Sequence, residues 1–182
     1  MLDLGLGVLR LTPVRHQDDR GWFCETYSRE ALAGAGVAYQ PVQENHALSH
    51  AVGTVRGLHY QTPPHAQAKL VRVVRGRILD VAVDIRQGSP TFGRWVAAEL
   101  DAAGGDQLLI PRGFAHGVCT LEPDTEVLYL VDAPYAAKAE HSVRWDDPAL
   151  GIVWPVGGAQ AVLSARDRAA PHLADVDTGF TF

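Results

Sequence analysis

Cysteine is scarce: Cys24 and Cys119 are the only two in 182 residues, and neither belongs to a Cys-x-x-Cys pair. A disulfide framework is therefore not expected. With no secretory leader recognised, reduced thiols in a cytoplasmic protein are the natural reading. No apolar run approaches the length of a membrane span, so no membrane association is expected. Positive charge is also in deficit. Sixteen Lys and Arg face 21 Asp and Glu, a formal net charge of -5, whereas a general nucleic-acid binder is normally basic. A phosphorylated small ligand stays open if a few Arg and Lys side chains converge. Internal repeats and low-complexity linkers are absent, and helical signals are sparse.

What is present suits many short strands. Hydrophobic residues make up 47% and charged residues 20%, as in a globular chain, and the length fits one domain spanning residues 1–182. Gly 18 and Pro 11 are spread along the sequence as turn punctuation. Leu70–Val74, Ile78–Asp84, Gly93–Leu100, Gln107–Ile110 and Thr125–Val131 read as strands, most of them separated by Gly, Pro or Asp clusters. Strands at this spacing predict an all-β sandwich or barrel. Ser28 caps a short predicted helix over Arg29–Ala35, and Leu163–Leu173 reads as a second one packed on the barrel. Alternation puts Lys69 on the face of Val71 and Val73, and Tyr129 on the face of Val127 and Val131. Both are polar groups on faces expected to point inward. Gly53, Gly57, Gly76 and Gly113 are expected at turns or close approaches.

Two segments keep the spacing of the cupin motifs, which predicts a cupin jelly-roll barrel with a few short peripheral helices. Gly53 is followed after five residues by His59, and Lys69 lies six residues before Gly76; Gly105 is followed after five residues by Pro111, then Gly113 and His116. The chemistry differs from a metal-binding cupin. Gln61 stands where the second His belongs, and Lys69 stands where the acid belongs. An ammonium has donors only and repels a divalent cation. No metal and no other cofactor is expected, which argues against a metal-dependent oxygenase. A base, a fixed cation and an acid are instead the parts needed to remove and return a proton beside a carbonyl, the cation stabilising the enolate oxygen.

Several ordered runs carry a family resemblance. They are Asp19-Arg20-Gly21-Trp22-Phe23-Cys24-Glu25, Gln43-Glu44-Asn45, Arg56-Gly57-Leu58-His59, Gln67-Ala68-Lys69-Leu70-Val71 and Asp80-Val81-Ala82-Val83-Asp84-Ile85-Arg86. They continue with Ile110-Pro111-Arg112-Gly113-Phe114-Ala115-His116-Gly117, Trp145-Asp146-Asp147-Pro148, Trp154-Pro155 and Leu163-Ser164-Ala165-Arg166-Asp167. From about Gly7 to Pro171 the chain resembles the dTDP-4-dehydrorhamnose 3,5-epimerases. The resemblance implies that His59 is the base, Asp167 its partner, Tyr129 the acid on the opposite face, and Lys69 the group facing the C4 oxygen. It implies that Arg20, Glu25, Gln43, Asn45, Arg56, Lys69, His116, Glu140 and Arg166 bind the dTDP-sugar, with Tyr135 as a wall of the pocket. Arg suits a diphosphate because its planar fork bonds two oxygens. A homodimer is implied as well.

Leu130 after Tyr129, Arg166 before Asp167 and Val118 after His116-Gly117 depart from common family residues without removing a catalytic group. They leave open inversion at C3, C5 or both. A single-centre epimerase or a ketoisomerase on a related dTDP-4-keto-sugar is the enzymatic alternative, and a sugar-nucleotide binding module the non-enzymatic one. Plainer roles exist for several residues: His116 bonded to backbone in a tight turn, Asp167 as a helix cap, and Arg20 with Glu25 as a solvated pair. His16, His46, His50, His65, His141 and His172 have no motif partner and are assigned to the surface.

Overall fold

A computed structural model describes all 182 residues. The strands are β1 (Leu2–Asp3), β2 (Leu9–Leu11), β3 (Arg15–Asp18), β4 (Gly21–Cys24), β5 (Gln43–Ser49), β6 (Val55–Gln61), β7 (Lys69–Arg75), β8 (Arg77–Asp84), β9 (Trp95–Asp101), β10 (Gln107–Ile110), β11 (Phe114–Thr120), β12 (Thr125–Val131) and β13 (Glu140–Ser142). Helices are few and short: α1 (Arg29–Gly34), α2 (Ala165–Arg168) and a 3-10 turn at Leu173–Asp175. One sheet has the order β1-β2-β10-β7-β12-β5 and the other β13-β6-β11-β8-β9, while β3 and β4 form a separate hairpin. The expected barrel is thus a jelly roll of two facing sheets with open edges, not a closed cylinder.

Inward side chains of both sheets make the central core. Val71, Val73, Leu108, Ile110 and Val127 of the first sheet meet Ile78, Ala82, Ala98, Leu100, Phe114 and Val118 of the second. Strand β8 is buried on both faces because both are covered. Its outward Val81 and Val83 pack with Leu58, Tyr60, Val143, Leu150 and Leu173 from the chain wrapped behind the second sheet. The outer face of the first sheet is covered through Tyr39, Leu70 and Leu109, against which Leu32 of α1 packs.

The five expected strands all form, Gln107–Ile110 and Thr125–Val131 with the expected bounds and the other three with ends shifted by at most two residues. The other eight strands were not anticipated, and β5, β6 and β11 are the longest of them. Their sequences, QENHALS, VRGLHYQ and FAHGVCT, interrupt the apolar alternation with polar side chains and glycine. Ser28 caps α1 as expected, its side chain accepting from the Ala31 amide. The second predicted helix is cut to Ala165–Arg168. Pro171 lacks an N–H and restricts the residue before it, so the helix cannot run on to Leu173.

Strands β6 and β11 approach unusually closely. A Cβ on Gly57 would lie 2.5 Å from Gly117 Cα, and Gly57 has φ +147. The β6–β11 register shifts between His116 and Val118, opposite this point. Arg56 and His59, three positions apart, line the same cavity beside the irregularity.

Candidate active site

A cavity of about 310 Å³ opens between the sheets, lined by Asn45, Ala47, Arg56, His59, Lys69, His116, Tyr129, Ser164, Arg166 and Asp167. Alternation put Lys69 and Tyr129 on inward faces, and both reach it. Cross-strand pairing explains the convergence. His59 lies opposite His116 across β6 and β11, and Tyr129 lies opposite Asn45 across β12 and β5. The volume is at the small end of ligand pockets, which span about 300–1,000 Å³.

His59 Nε2 and Asp167 Oδ1 are 2.5 Å apart, and Asp167 is 3% exposed. Burial alone would raise the Asp167 pKa; hydrogen bonds from His59 and Ser164, with the charges of His59 and Arg166, hold it below the usual 3.8. An ionised carboxylate only accepts, so Nε2 carries a proton toward it, and in the neutral imidazole Nδ1 then keeps a lone pair. Ser164 caps α2 by accepting from the Asp167 amide, and its hydroxyl donates to Asp167 Oδ2 at 2.8 Å. Asp167 therefore takes part in a helix cap and also holds the imidazole.

Lys69 Nζ donates to the His59 carbonyl at 3.2 Å. Burial pulls its pKa down to about 8 against the support of the Glu140 and Asp80 carboxylates. At neutral pH it is still mostly charged. Tyr129 is pushed above the usual tyrosine range by burial, with Asp80 adding and Arg56 opposing. It stays a proton donor at neutral pH.

His116 sits in strand β11, not in a tight turn. Its Nε2 meets Asp80 Oδ1 at 2.8 Å, and its ring lies edge-on to Tyr129, centroids 6.1 Å apart. Burial lowers the His116 pKa and Asp80 opposes the shift. Sequence reasoning missed Asp80, which is 0% exposed. Its signal was legible: a carboxylate on the inward face of Ile78 and Ala82. Ser164 was missed too, though Ser-x-x-Asp is a cap pattern.

The remaining predicted residues divide into two groups. Gln43 and Glu140 do not line the cavity but are bonded to residues that do, and Tyr135 is bonded to those two. Gln43 Nε2 donates to Asn45 Oδ1 at 2.7 Å, Tyr135 Oη donates to Glu140 Oε2 at 2.7 Å, and Glu140 pairs with Arg166. Arg20 and Glu25 lie elsewhere. Arg20 is bonded to Asp18, not to Glu25, with its side chain 89% exposed beside the β3–β4 hairpin. Glu25 lines a different cavity, about 330 Å³, beside α1. Of the histidines assigned to the surface, His46, His50 and His172 have carboxylate partners.

Two positions that carry ligands in metal-binding cupins are engaged differently here. Gln61 spends its amide on backbone groups, donating to the His65 and Pro134 carbonyls and accepting from the Ala136 amide. Lys69 brings a positive charge, and no cluster of three His, Cys, Asp or Glu side chains is positioned to hold an ion.

The family pattern of dTDP-4-dehydrorhamnose 3,5-epimerase matches residues 6–175. The chain belongs to that family. It is 47% identical over 176 residues to the dTDP-4-dehydrorhamnose 3,5-epimerase of Sinorhizobium fredii, covering 94% of this chain and 88% of the relative. A dTDP-6-deoxy-D-glucose-3,5-epimerase of Legionella pneumophila, solved with dTDP-4-keto-L-rhamnose, superposes with TM-score 0.88 at 40% identity, covering 93% and 89% of the two chains. A 3'-monoepimerase of Streptomyces bikiniensis, solved as a double mutant with dTDP, is also similar, with TM-score 0.88 at 40% identity over 96% and 87%.

Proposed function

We propose that the whole chain acts as one epimerase domain that inverts C3 and C5 of dTDP-4-dehydro-6-deoxy-D-glucose, giving dTDP-4-dehydro-L-rhamnose without a metal. The observation that carries this reading is one cavity holding His59 with its ionised Asp167 partner, the Lys69 ammonium and the Tyr129 side chain. The Tyr129 hydroxyl has no hydrogen-bond partner in the protein and is free to act on a ligand. At each centre His59 Nδ1 takes the carbon-bound proton. The C–H electron pair moves into an enolate whose oxygen, at C4, faces Lys69. Tyr129 then delivers a proton to the same carbon from the opposite face, and the two groups re-equilibrate with solvent. Each well-placed proton-transfer group typically contributes about 10²–10⁴ in rate. The Lys69 charge stabilises the enolate where the charge develops.

Arg56 and Arg166 with Asn45 suit the diphosphate end of the ligand. Arg20, away from this chain's cavity, fits the same role, and Glu25 fits acceptance from a hydroxyl or ring N–H of the ligand, if the protein is a homodimer whose hairpin reaches the second copy. Trp22 and Phe23 on that hairpin are 55% and 73% exposed, in keeping with a covering partner. We read the enzyme as cytoplasmic; no helix is long and apolar enough to cross a membrane.

A second reading, inversion at one centre, is favoured by the likeness to the monoepimerase. Incubation with the keto-sugar in D₂O, without added metal, distinguishes the two by which of C3 and C5 takes up deuterium and by the product seen by NMR. A ketoisomerase would give a different product. Absence of exchange at both positions would reject epimerisation. A binding module without turnover would retain its function in His59→Ala, whereas an epimerase loses exchange.

A further inference from the structure

Gln61 occupies a position where a metal-binding cupin has a ligand, yet its side chain does not serve the cavity. It lies two residues beyond His59 on β6, 3% exposed. Nε2 donates to His65 O at 2.7 Å and to Pro134 O at 3.2 Å, and Oε1 accepts from Ala136 N at 2.7 Å. Both amide hydrogens are used, so Gln61 has no donor left for a ligand.

The groups it holds flank one residue. Tyr135 lies between Pro134 and Ala136, and its own amide donates to Gln43 Oε1 at 3.0 Å. Three backbone polar groups around Tyr135 are therefore fastened by two glutamines, Gln43 on β5 of one sheet and Gln61 on β6 of the other. The clamp extends outward from there. The Tyr135 hydroxyl bonds Glu140, which is Gln61's cross-strand neighbour and which pairs with Arg166 at the cavity. Tyr135 itself is 55% exposed. A half-exposed aromatic on a pinned backbone can meet a flat ligand surface with little further loss of freedom.

We propose that Gln61 is a positioning residue for ligand capture: it holds the loop of Tyr135, and through Glu140 the Arg166 guanidinium, in the arrangement that receives the sugar nucleotide. This rests on the proposed function and on the bound ligand extending past Arg166 to meet Tyr135 just outside the cavity. Gln61 does not touch the reacting atoms, so its effect falls on binding and not on proton transfer.

The test is Gln61→Leu, which keeps the bulk and removes all three hydrogen bonds, with Gln61→Glu as a second variant. Gln61→Glu retains the acceptor for Ala136 but turns an anionic oxygen toward two carbonyls. Each variant is first matched to the wild type by near-UV circular dichroism, and the one that folds is carried forward. The expected result is KM for the keto-sugar raised about tenfold with kcat within about threefold, since the loss is of uniform binding. Tyr135→Ala should raise KM similarly. The double variant should be no worse than Tyr135→Ala alone, because both changes disable one device. An unchanged KM, a parallel fall in kcat, or additive effects would overturn the proposal. Amide hydrogen exchange and dTDP titration read the clamp without turnover. Faster exchange at Ala136 together with weaker dTDP binding supports it, and unchanged exchange there overturns it. If the wild type turns over no keto-sugar, the function reading fails while these two measurements still decide the role of Gln61.

Discussion

Replacing Asp167 with asparagine isolates the charge beside His59. The side chain keeps its shape. An amide can turn Oδ1 toward His59 Nε2 and its NH₂ toward the Ser164 hydroxyl, which is able to accept. The fold and the α2 cap should therefore survive. What disappears is an ionised acceptor, 4% exposed, at 2.5 Å from the ring. A hydrogen bond to a charged group contributes about 1.5–3 kcal/mol. Its loss is felt mainly as His59 becomes positive on taking the carbon-bound proton. At 1.36 kcal/mol per tenfold, kcat should fall about 10- to 160-fold. KM should change little, because the charge pair forms after binding. The assay is product formation by NMR together with deuterium uptake from D₂O. A kcat within threefold of wild type would refute the role given to Asp167. The same pair has a stability signature. The folded Asp167 pKa lies below 3.8, so its contribution is present above that pH and is lost as pH falls below it. Acid unfolding followed by circular dichroism should shift to higher pH in Asp167→Asn.

Tyr129→Phe should retain deuterium uptake, since His59 can remove and return a proton on one face, while inverted product falls about 10²–10⁴-fold; equal loss of uptake and product would place Tyr129 in another role. Lys69, with its pKa near 8, should give kcat/KM a falling limb as pH rises through about 8. Because that value lies below the ordinary 10.5, the unfolded chain binds more protons between the two, so the Lys69 contribution to folding stability rises over the same range. A pH–rate profile and melting curves at matched pH check the opposite slopes. Gly57→Ala should destabilise by about 3 kcal/mol or more, since the new methyl meets backbone at 2.5 Å; an unchanged melting temperature would show that β6 and β11 can separate. If Arg20 acts in the second copy's cavity, mixing Arg20→Ala with His59→Ala protein should restore up to about a quarter of the activity at statistical exchange, measured after confirming the dimer by sedimentation. No restoration from a mixed dimer would place Arg20 outside catalysis.

Much of this architecture was legible in the chain because it follows from period-2 alternation. Lys69 with Val71 and Val73, and Tyr129 with Val127 and Val131, share inward faces whatever the sheets do beyond them. The same rule failed at β5, β6 and β11, where cavity residues such as Asn45, Arg56, His59 and His116 replace the apolar pattern. The three longest strands missed are thus ones that carry much of the site. The second helix was overextended because Ala165–Arg168 looks helical locally while Pro171 closes it.

By itself the sequence determined the β-rich composition, the inward direction of Lys69 and Tyr129, and the ordered motifs that placed His59, His116 and Asp167 in one family pattern. Direction along a strand is a local property of the backbone, so it can be read from spacing. The pairings had to wait for the folded chain. That His116 meets Asp80 and not a turn, that Gln61 is spent on the loop of Tyr135, and that Arg20 and Glu25 lie away from this cavity are facts of distance. They depend on how two sheets and a wrapped C-terminal segment close on one another, and no local pattern encodes that closure.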